Sequence, residues 1–206
     1  MAQEYNPSQI KVLQFPDFVR QRASLYVGEY EPALVPNVLL REALCCARDE
    51  AFQGRCSNVY VVLGNGGRAS IKDDGPGLPL QMGPCGTRVA EHYLTSVHAG
   101  CAAGKSTEHI ARTTCVLTLA VLNALSSELA VRIRAEGEEW SQEYIRGVAT
   151  GPLQVTGHTN ESGTELSFKL DESILQVHEF DASEFQDWVR QNVVGLHVSI
   201  QDQRGT

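Results

Sequence analysis

The sequence predicts an α+β fold in which a mixed, mostly antiparallel sheet is covered by helices on one face. Helical and extended patterns are mixed through the first 125 residues, and a run of four extended segments follows between positions 129 and 170. We found no internal repeat and no linker, so the 206 residues are expected to form a single domain with a sizeable core.

The composition is that of an ordinary globular protein, with 42% hydrophobic and 20% charged residues. The formal net charge of −8 argues against a nucleic-acid groove, because phosphate binding relies on clustered Lys and Arg. Direct DNA binding is therefore not expected. No signal peptide or apolar run of membrane length is visible, which predicts a cytoplasmic protein. The six cysteines form no CxxC pair, so we expect free thiols and no metal site.

The first part of the chain is predicted to be helical, with two irregular connections. Residues 1–9 form a polar arm, and Phe15–Arg22 form a short helix with Pro16 in its first turn. Residues 24–28 are expected to be extended, and residues 29–36 form a loop that contains two prolines. Asn37 can then cap a long helix that runs to about Ala51.

The long helix has two stripes of residues, one that faces the core and one that is acidic. Its core face is predicted from apolar residues at helical spacing, namely Leu40, Leu44, Ala47 and Ala51. A second, acidic stripe consists of Glu42, Cys46 and either Asp49 or Glu50. The helix therefore presents carboxylates to whatever lies opposite it.

A hairpin and a glycine-rich turn are expected next. Ser57–Leu63 and Ala69–Lys72 are extended patterns separated by the turn Gly64–Gly67. Residues 73–86 are rich in Gly and Pro and are predicted to be irregular. This turn follows a strand that ends in an acid, Asp73, and could form a pocket for a polar planar ligand together with the acidic stripe.

The remaining elements follow in order. Helices are predicted over Thr87–Val97, Thr113–Leu125 and Ser183–Val194, with a lid-like loop at residues 98–112. Strands are predicted over Leu129–Arg134, Trp140–Arg146, Leu153–Thr156, Thr164–Leu170 and His197–Gln201.

Several ordered motifs resemble one known family. They are Glu42 in its helix, the turn Asp73-Asp-Gly-Pro-Gly-Leu-Pro79, the segment Leu94-Thr-Ser-Val-His-Ala-Gly100 and the pair Gly163-Thr164. Together they resemble the GHKL-type ATPase domain of the DNA gyrase B and topoisomerase IV subunits, over nearly the whole chain. The resemblance implies the Bergerat fold, a two-layer sandwich. The family's transducer and DNA-cleaving domains have no counterpart in these 206 residues.

The resemblance also assigns roles to residues. Glu42 stands at the catalytic base position, and Asp73 with Thr164 at the adenine site, where Asp73 is a second candidate for acid–base chemistry. His98, at the start of the lid, could shuttle a proton. The expected ligand-binding residues are Cys46, Asp49, Glu50, Asp73, Gly77, Leu78, Pro79, Val97, Val116 and Thr164.

Three departures from the family affect its phosphate chemistry. Cys46 replaces the Asn that holds magnesium, and a soft sulfur is a poor ligand for a hard cation. Residues 112–118 contain no glycine where the family's lid has a Gly-rich phosphate turn. Pro76 replaces the turn Arg, so Glu50 is expected to lose its partner. We therefore expect no cofactor, and impaired binding of ATP and magnesium.

Each candidate also has a purely structural interpretation. An isolated Glu such as Glu42 is most often an exposed helix acid, and Asp73 could simply form a turn. His98 could be a surface residue. Cys46 could be a nucleophile beside a base, or a buried small hydrophobe.

Four functions are weighed. A working topoisomerase ATPase and a nucleotide-binding regulator are disfavoured by the lost phosphate site. A decoy that binds gyrase inhibitors, or a pocket repurposed for a cofactor-independent biosynthetic cyclisation, isomerisation or elimination, fits better, because only the phosphate end is altered. The favoured interpretation is the repurposed pocket, that is, a biosynthetic enzyme that acts on a non-nucleotide small molecule through pocket carboxylates. No membrane partner is expected, and a homodimer stays open.

Overall fold

The computed structural model describes residues 13–83, 86–96 and 117–205. The helices are α1 (Phe15–Gln21), α2 (Ser24–Val27), α3 (Val35–Phe52), α4 (Val89–Thr95), α5 (Leu119–Ala124) and α6 (Ala182–Asn192). The strands are β1 (Asn58–Leu63), β2 (Arg68–Asp73), β3 (Ser126–Ala135), β4 (Glu138–Ile145), β5 (Val148–Ala149), β6 (Gln154–His158), β7 (Gly163–Leu170) and β8 (His197–Asp202).

The eight strands form one mixed sheet. Its order is β5-β4-β3-β7-β2-β1-β8, and β6 also pairs with β4, beside β5. All pairs are antiparallel except β1 with β8, which run parallel with Val59 opposite Val198. The predicted α+β class and the mostly antiparallel sheet are confirmed.

Buried apolar and exposed polar side chains alternate along the strands, and this shows which face of the sheet is covered by helices. In β3, Leu129, Val131 and Ile133 are at most 1% exposed, whereas Glu128 before them and Arg132 among them are exposed. Because side chains of a strand alternate between faces, one face of the sheet is apolar and the other polar. The apolar face packs against the helices in one continuous hydrophobic core. The two-layer arrangement follows from this pattern.

Helix α3 lies across the core and carries the candidate stripe. Leu40 and Leu44 are fully buried, as their helical spacing predicts, and Leu39 is fully buried as well. The prediction that Asn37 caps this helix is wrong, because the helix begins at Val35. Instead, the Asn37 side chain donates to the carbonyl oxygen of Asp181 at 2.8 Å and accepts from its N–H at 3.1 Å, which joins α3 to the start of α6.

Other differences concern short elements. Residues 24–27 form the single-turn helix α2 rather than an extended segment, and the two-residue strand β5 was not predicted. In the helix predicted over residues 113–125, the described part becomes helical only at Leu119, after the N-cap Thr118. Among the described helices, none is both long and apolar enough to cross a bilayer.

Candidate functional site

The glycine-rich turn after β2 is organised by Asp73, the last residue of that strand. Asp73 is 9% exposed, and its Oδ1 accepts from the backbone N–H groups of Gly75 at 2.9 Å and Thr164 at 3.1 Å. Within the described parts of the chain, no group donates to Oδ2. One carboxylate oxygen therefore fixes the turn, and the other remains able to accept from a ligand.

Thr164, in the first residues of β7, holds the other end of the turn. Its Oγ1 accepts from the buried N–H of Leu78 at 3.0 Å. The hydroxyl hydrogen is still able to donate, since no described residue accepts it. Thr164 thus connects Asp73 to Leu78 and brings a hydroxyl donor to the same turn.

Two glycines allow this close approach. Gly163 has φ +131°, and a Cβ there would lie 2.0 Å from the carbonyl oxygen of Asp73. Gly77 has φ +84°, and its Cβ would lie 3.0 Å from Cγ2 of Ile133. Both the left-handed backbone and the short contacts require residues without a side chain.

The two adjacent acids of the turn have opposite properties. Burial raises the pKa of Asp73 to about 6, with smaller contributions from Asp74 and Glu50, although its two backbone hydrogen bonds lower it. Burial also acts on Asp74, but hydrogen bonds from Asn58 and Ser57 outweigh it and hold the pKa of Asp74 at about 2. Asp74 accepts from the N–H groups of Ser57 at 2.7 Å and Asn58 at 2.8 Å, so it fixes the start of β1.

A cavity of about 160 Å³ lies between α3 and this turn. The described residues that line it are Cys46, Ala47, Asp49, Glu50, Gln53, Arg55, Asp73, Gly77, Leu78, Pro79, Tyr93 and Thr164. Eight of the ten expected ligand-binding residues are therefore brought to one cavity, and binding of a ligand there stays a prediction. The volume is below the range of roughly 300–1,000 Å³ for drug-sized ligands and suits a single planar ring.

Nearly the whole chain is similar to part of known DNA gyrase B subunits. The DNA gyrase B subunit of Helicobacter pylori (strain ATCC 700392 / 26695) is 30% identical over 209 residues, which is 98% of this chain and 27% of that protein. The corresponding Thermotoga maritima protein is 32% identical over 204 residues, or 97% of the chain and 32% of that protein. The Archaeoglobus fulgidus protein is 34% identical over 183 residues, or 87% and 29%.

The chain is a GHKL-type relative of the DNA gyrase B subunit. This confirms the resemblance given by the sequence motifs. The gyrase-B-like domain spans less than a third of the length of these relatives. No protein-family model matches it.

Glu50 of the gyrase-B-like domain, which is expected to lose the turn arginine as its partner, is paired with Arg55 instead. Arg55 Nε donates to Glu50 Oε2 at 2.7 Å, and Nη2 lies 2.6 Å from the same oxygen. The chain reverses at Gly54, with φ +71°, and the Arg55 N–H bonds to the Glu50 carbonyl at 2.9 Å. This helix-ending turn returns Arg55 over the last turn of α3, where it supplies the cation that pairs with Glu50.

Four lining residues were missed by the sequence analysis, namely Ala47, Gln53, Arg55 and Tyr93. Helical spacing could have found Gln53, which lies three residues after Glu50. Tyr93 comes from α4, and burial together with the charges of Asp49 and Glu50 raises the pKa of its phenol. Its position could not be found from spacing, because α4 follows the turn in sequence but faces α3 in space.

The resemblance places magnesium at the other end of the site, and impaired binding of that ion stays a prediction. Glu42 is 3% exposed and is not among the described residues that line the cavity, and its catalytic role stays a prediction. Cys46 is half-buried and supplies sulfur where magnesium needs oxygen. No group of three His, Cys, Asp or Glu residues in the described ranges could hold a metal ion.

The expectation of free thiols is wrong at α3. Cys45 and Cys46 each take part in a disulfide bond, whereas Cys56 is a buried free thiol. The expectation rests on the reducing conditions of the cytosol, which carry no information about which sulfur atoms lie close together. A sulfur in a disulfide is not a nucleophile, so the nucleophilic interpretation of Cys46 does not hold in this structure. Burial raises the pKa of Cys56 to about 12, which makes that thiol unreactive as well.

Three further candidates, Val97, His98 and Val116, lie outside the described residues, as does most of the segment 112–118. Proton transfer by His98, ligand contacts by Val97 and Val116, and the loss of the phosphate turn at residues 112–118 stay predictions.

Proposed function

We propose that the gyrase-B-like domain binds a planar, amino-bearing small molecule in the cavity between α3 and the glycine turn, and does not hydrolyse ATP. The observation that carries this proposal is the arrangement of Asp73 and Thr164. Oδ2 of Asp73 can accept from an amino group, while the Thr164 hydroxyl can donate to a neighbouring ring nitrogen. A donor and an acceptor side by side on a flat ring would satisfy both groups.

The proposal separates the two ends of the site. The ring end keeps buried, fixed hydrogen-bonding groups, whereas the cation end has Cys46 where oxygen is required. Phosphoryl transfer depends on magnesium and on positioned phosphates, because most of its catalysis is electrostatic. A ligand without a triphosphate therefore suits this site better than ATP does.

Acid–base catalysis is a second candidate, and the carboxyl of Asp73 favours it. A general acid or base works best when its pKa is near the working pH, and burial brings the pKa of Asp73 to about 6. Such a group could move a proton in a cofactor-independent isomerisation, cyclisation or elimination. With Asp73 as the acting group, kcat/KM would follow one ionisation near pH 6, and a flat profile from about pH 5 to 8 would exclude it.

A decoy that captures gyrase inhibitors would use the same cavity without chemistry. The two candidates differ in turnover: a decoy returns its ligand unchanged, whereas an enzyme releases a product of altered structure. Mass spectrometry of the recovered ligand after prolonged incubation with the domain separates them.

Calorimetric titrations test the binding proposal. The first probe is ATP with and without magnesium, and the second is a neutral aminopyrimidine whose amino group is flanked by ring nitrogens. We expect no magnesium-dependent gain for ATP, and saturable binding of the aminopyrimidine that Asp73→Asn weakens about tenfold. Asp187→Asn is the matched control, because its side chain is 62% exposed on α6. Tight, magnesium-dependent ATP binding or ATP turnover would refute the proposal.

A further inference from the structure

The ion pair between Glu50 and Arg55 marks the solvent-exposed side of the cavity, which we call its entrance. The Glu50 side chain is 25% exposed and that of Arg55 51% exposed, whereas Asp73, which also lines the cavity, is buried. The cavity therefore runs from a buried carboxyl to a guanidinium in contact with solvent. Among the described residues that line it, Arg55 is the single Lys or Arg.

Arg55 has donors to spare. Nε and Nη2 both approach one oxygen of Glu50, at 2.7 and 2.6 Å. A guanidinium has five N–H donors in a fixed plane, and Nη1 bonds to none of the residues that the structure describes. The pair with Glu50 fixes the plane of the guanidinium, so Nη1 is held in place without being used.

The charges around Arg55 limit which ligand groups it can bind. Asp49, Glu50 and Asp73 also line the cavity, so carboxyl groups outnumber the single guanidinium. Like charges at short range disfavour one another, and a ligand carboxylate would meet this field. A neutral carbonyl oxygen accepts from Arg55 without that penalty.

We propose that Arg55 is a specificity-determining residue that donates to a neutral carbonyl oxygen on the ligand. The ligand class is then a flat amino-bearing ring with a carbonyl or carboxamide group at the far end. This inference rests on the proposed function, because it assumes that the amino end of the ring binds at Asp73. It goes beyond it by naming the group recognised at the entrance, which adenine lacks.

Three matched probes test this assignment by chemical-shift titration of the ¹⁵N-labelled domain. Each is the aminopyrimidine used above, carrying a carboxamide, a methyl group or a carboxylate opposite its amino group. We expect the carboxamide to bind about fivefold more tightly than the methyl probe, as one hydrogen bond to a partly exposed charged donor allows. The carboxylate should bind no better than the carboxamide.

Arg55→Met removes the donors but keeps the length of the side chain, and the preference for the carboxamide should fall below about twofold. Arg68→Met is the control, because Arg68 is a similarly exposed arginine on the polar face of the sheet, paired with Glu128. It should keep the preference. The comparison uses ratios within each variant, so a general effect of lost charge on affinity cancels.

The outcomes separate the two proposals. A preference near one in the wild type, or one unchanged in Arg55→Met, overturns the role of Arg55, while binding of the methyl probe that Asp73→Asn weakens still supports the proposed function. A carboxylate that binds most tightly overturns the neutral ligand class. If none of the probes gives saturable shifts, the proposed function fails and the inference fails with it.

Discussion

The backbone N–H of Thr164 donates to Oδ1 of Asp73 at 3.1 Å, although 91 residues separate the two along the chain. The antiparallel ladder between β2 and β7, with Lys72 opposite Glu165, brings them together. The base of the cavity is therefore part of the central sheet and is as well fixed as its neighbouring strands. A site on such a support can present hydrogen-bonding groups without first ordering a loop.

Asp73→Asn should change how stability depends on pH. A carboxyl whose pKa is 3.8 when unfolded and about 6 when folded binds its proton more tightly in the folded state. Stability is then highest below about pH 4 and falls as the pH rises to about 6, by roughly 3 kcal/mol at most. Urea unfolding of both proteins across this range should show the wild type losing this amount relative to the variant.

The difference between the two proteins isolates Asp73, because other acids titrate in both. Asn keeps an oxygen that can accept from Gly75 and Thr164, so the turn should be preserved. Curves that stay parallel from about pH 4 to 7 would show that the carboxyl is not buried in its charged form.

Thr164→Val should destabilise the domain by about 1–3 kcal/mol, because it leaves the buried N–H of Leu78 without an acceptor. Valine has nearly the same shape, so the loss measures the hydrogen bond rather than packing. Thr164→Ser keeps the hydroxyl and is the control, with a smaller loss from one methyl group. Chemical denaturation at neutral pH measures both, and equal losses would contradict the role of the hydroxyl.

Gly77→Ala should cost more than Gly137→Ala, although both glycines have φ +84°. The strain of a side chain at this φ is of order 1 kcal/mol and is common to both. A Cβ at Gly137 has nothing within 4 Å, whereas at Gly77 it lies 3.0 Å from Ile133 and 3.1 Å from the Arg134 carbonyl. The extra loss, expected to be about 1–3 kcal/mol from overpacking, is measured by thermal unfolding of the two variants. Matching melting temperatures would show that the turn can move away from β3.

Asp171→Asn should destabilise the domain by about 3 kcal/mol, because it breaks a buried ion pair and leaves Arg20 uncompensated. Arg20 Nη2 lies 2.6 Å from Asp171 Oδ2, and the side chains are 14% and 4% exposed. The control, Asp187→Asn, breaks an exposed pair with Arg190 and should cost at most about 0.5 kcal/mol. Urea midpoints of both variants test this, and similar values would place Arg20 in effective contact with water.

The same ion pair has a pH dependence opposite to that of Asp73. Burial alone would raise the pKa of Asp171, but hydrogen bonds from Ser173 and Arg20 lower it to about 2. A carboxyl with a lowered pKa stabilises the fold above its unfolded value, and this contribution is lost as the pH falls from about 4 towards 2.

The sequence was sufficient for elements whose pattern is local. The hairpin of β1 and β2 and the strands β3, β4 and β7 follow from alternation and from turn residues. Helix α2 has four residues and β5 has two, which is too short for either period to be recognised. Asn37 was expected to cap a helix, because Asn often does, but its partner Asp181 is distant in sequence.

At the site, the sequence identified residues that match motifs, but not the residue that compensates for a departure from a motif. Asp73 and Thr164 were identified from motifs and lie at one cavity. Pro76 stands at the position of the family's turn arginine, so the sequence indicated that Glu50 loses that partner but not which residue pairs with it instead. Arg55 is visible only once the reversal at Gly54 is known, because that turn decides where the next side chain points. A substitution at one position can thus be offset by a residue that no motif includes.

The parallel pair of β1 and β8 has a consequence for synthesis. Val59 is paired with Val198, so β1 lacks one of its two neighbours until the ribosome has released the chain beyond residue 202. Until then the edge of the hairpin exposes unpaired N–H and C=O groups, which are a template for association with other chains. Contacts of such long sequence separation also slow folding. During translation the nascent hairpin is therefore where we expect a chaperone to be needed most.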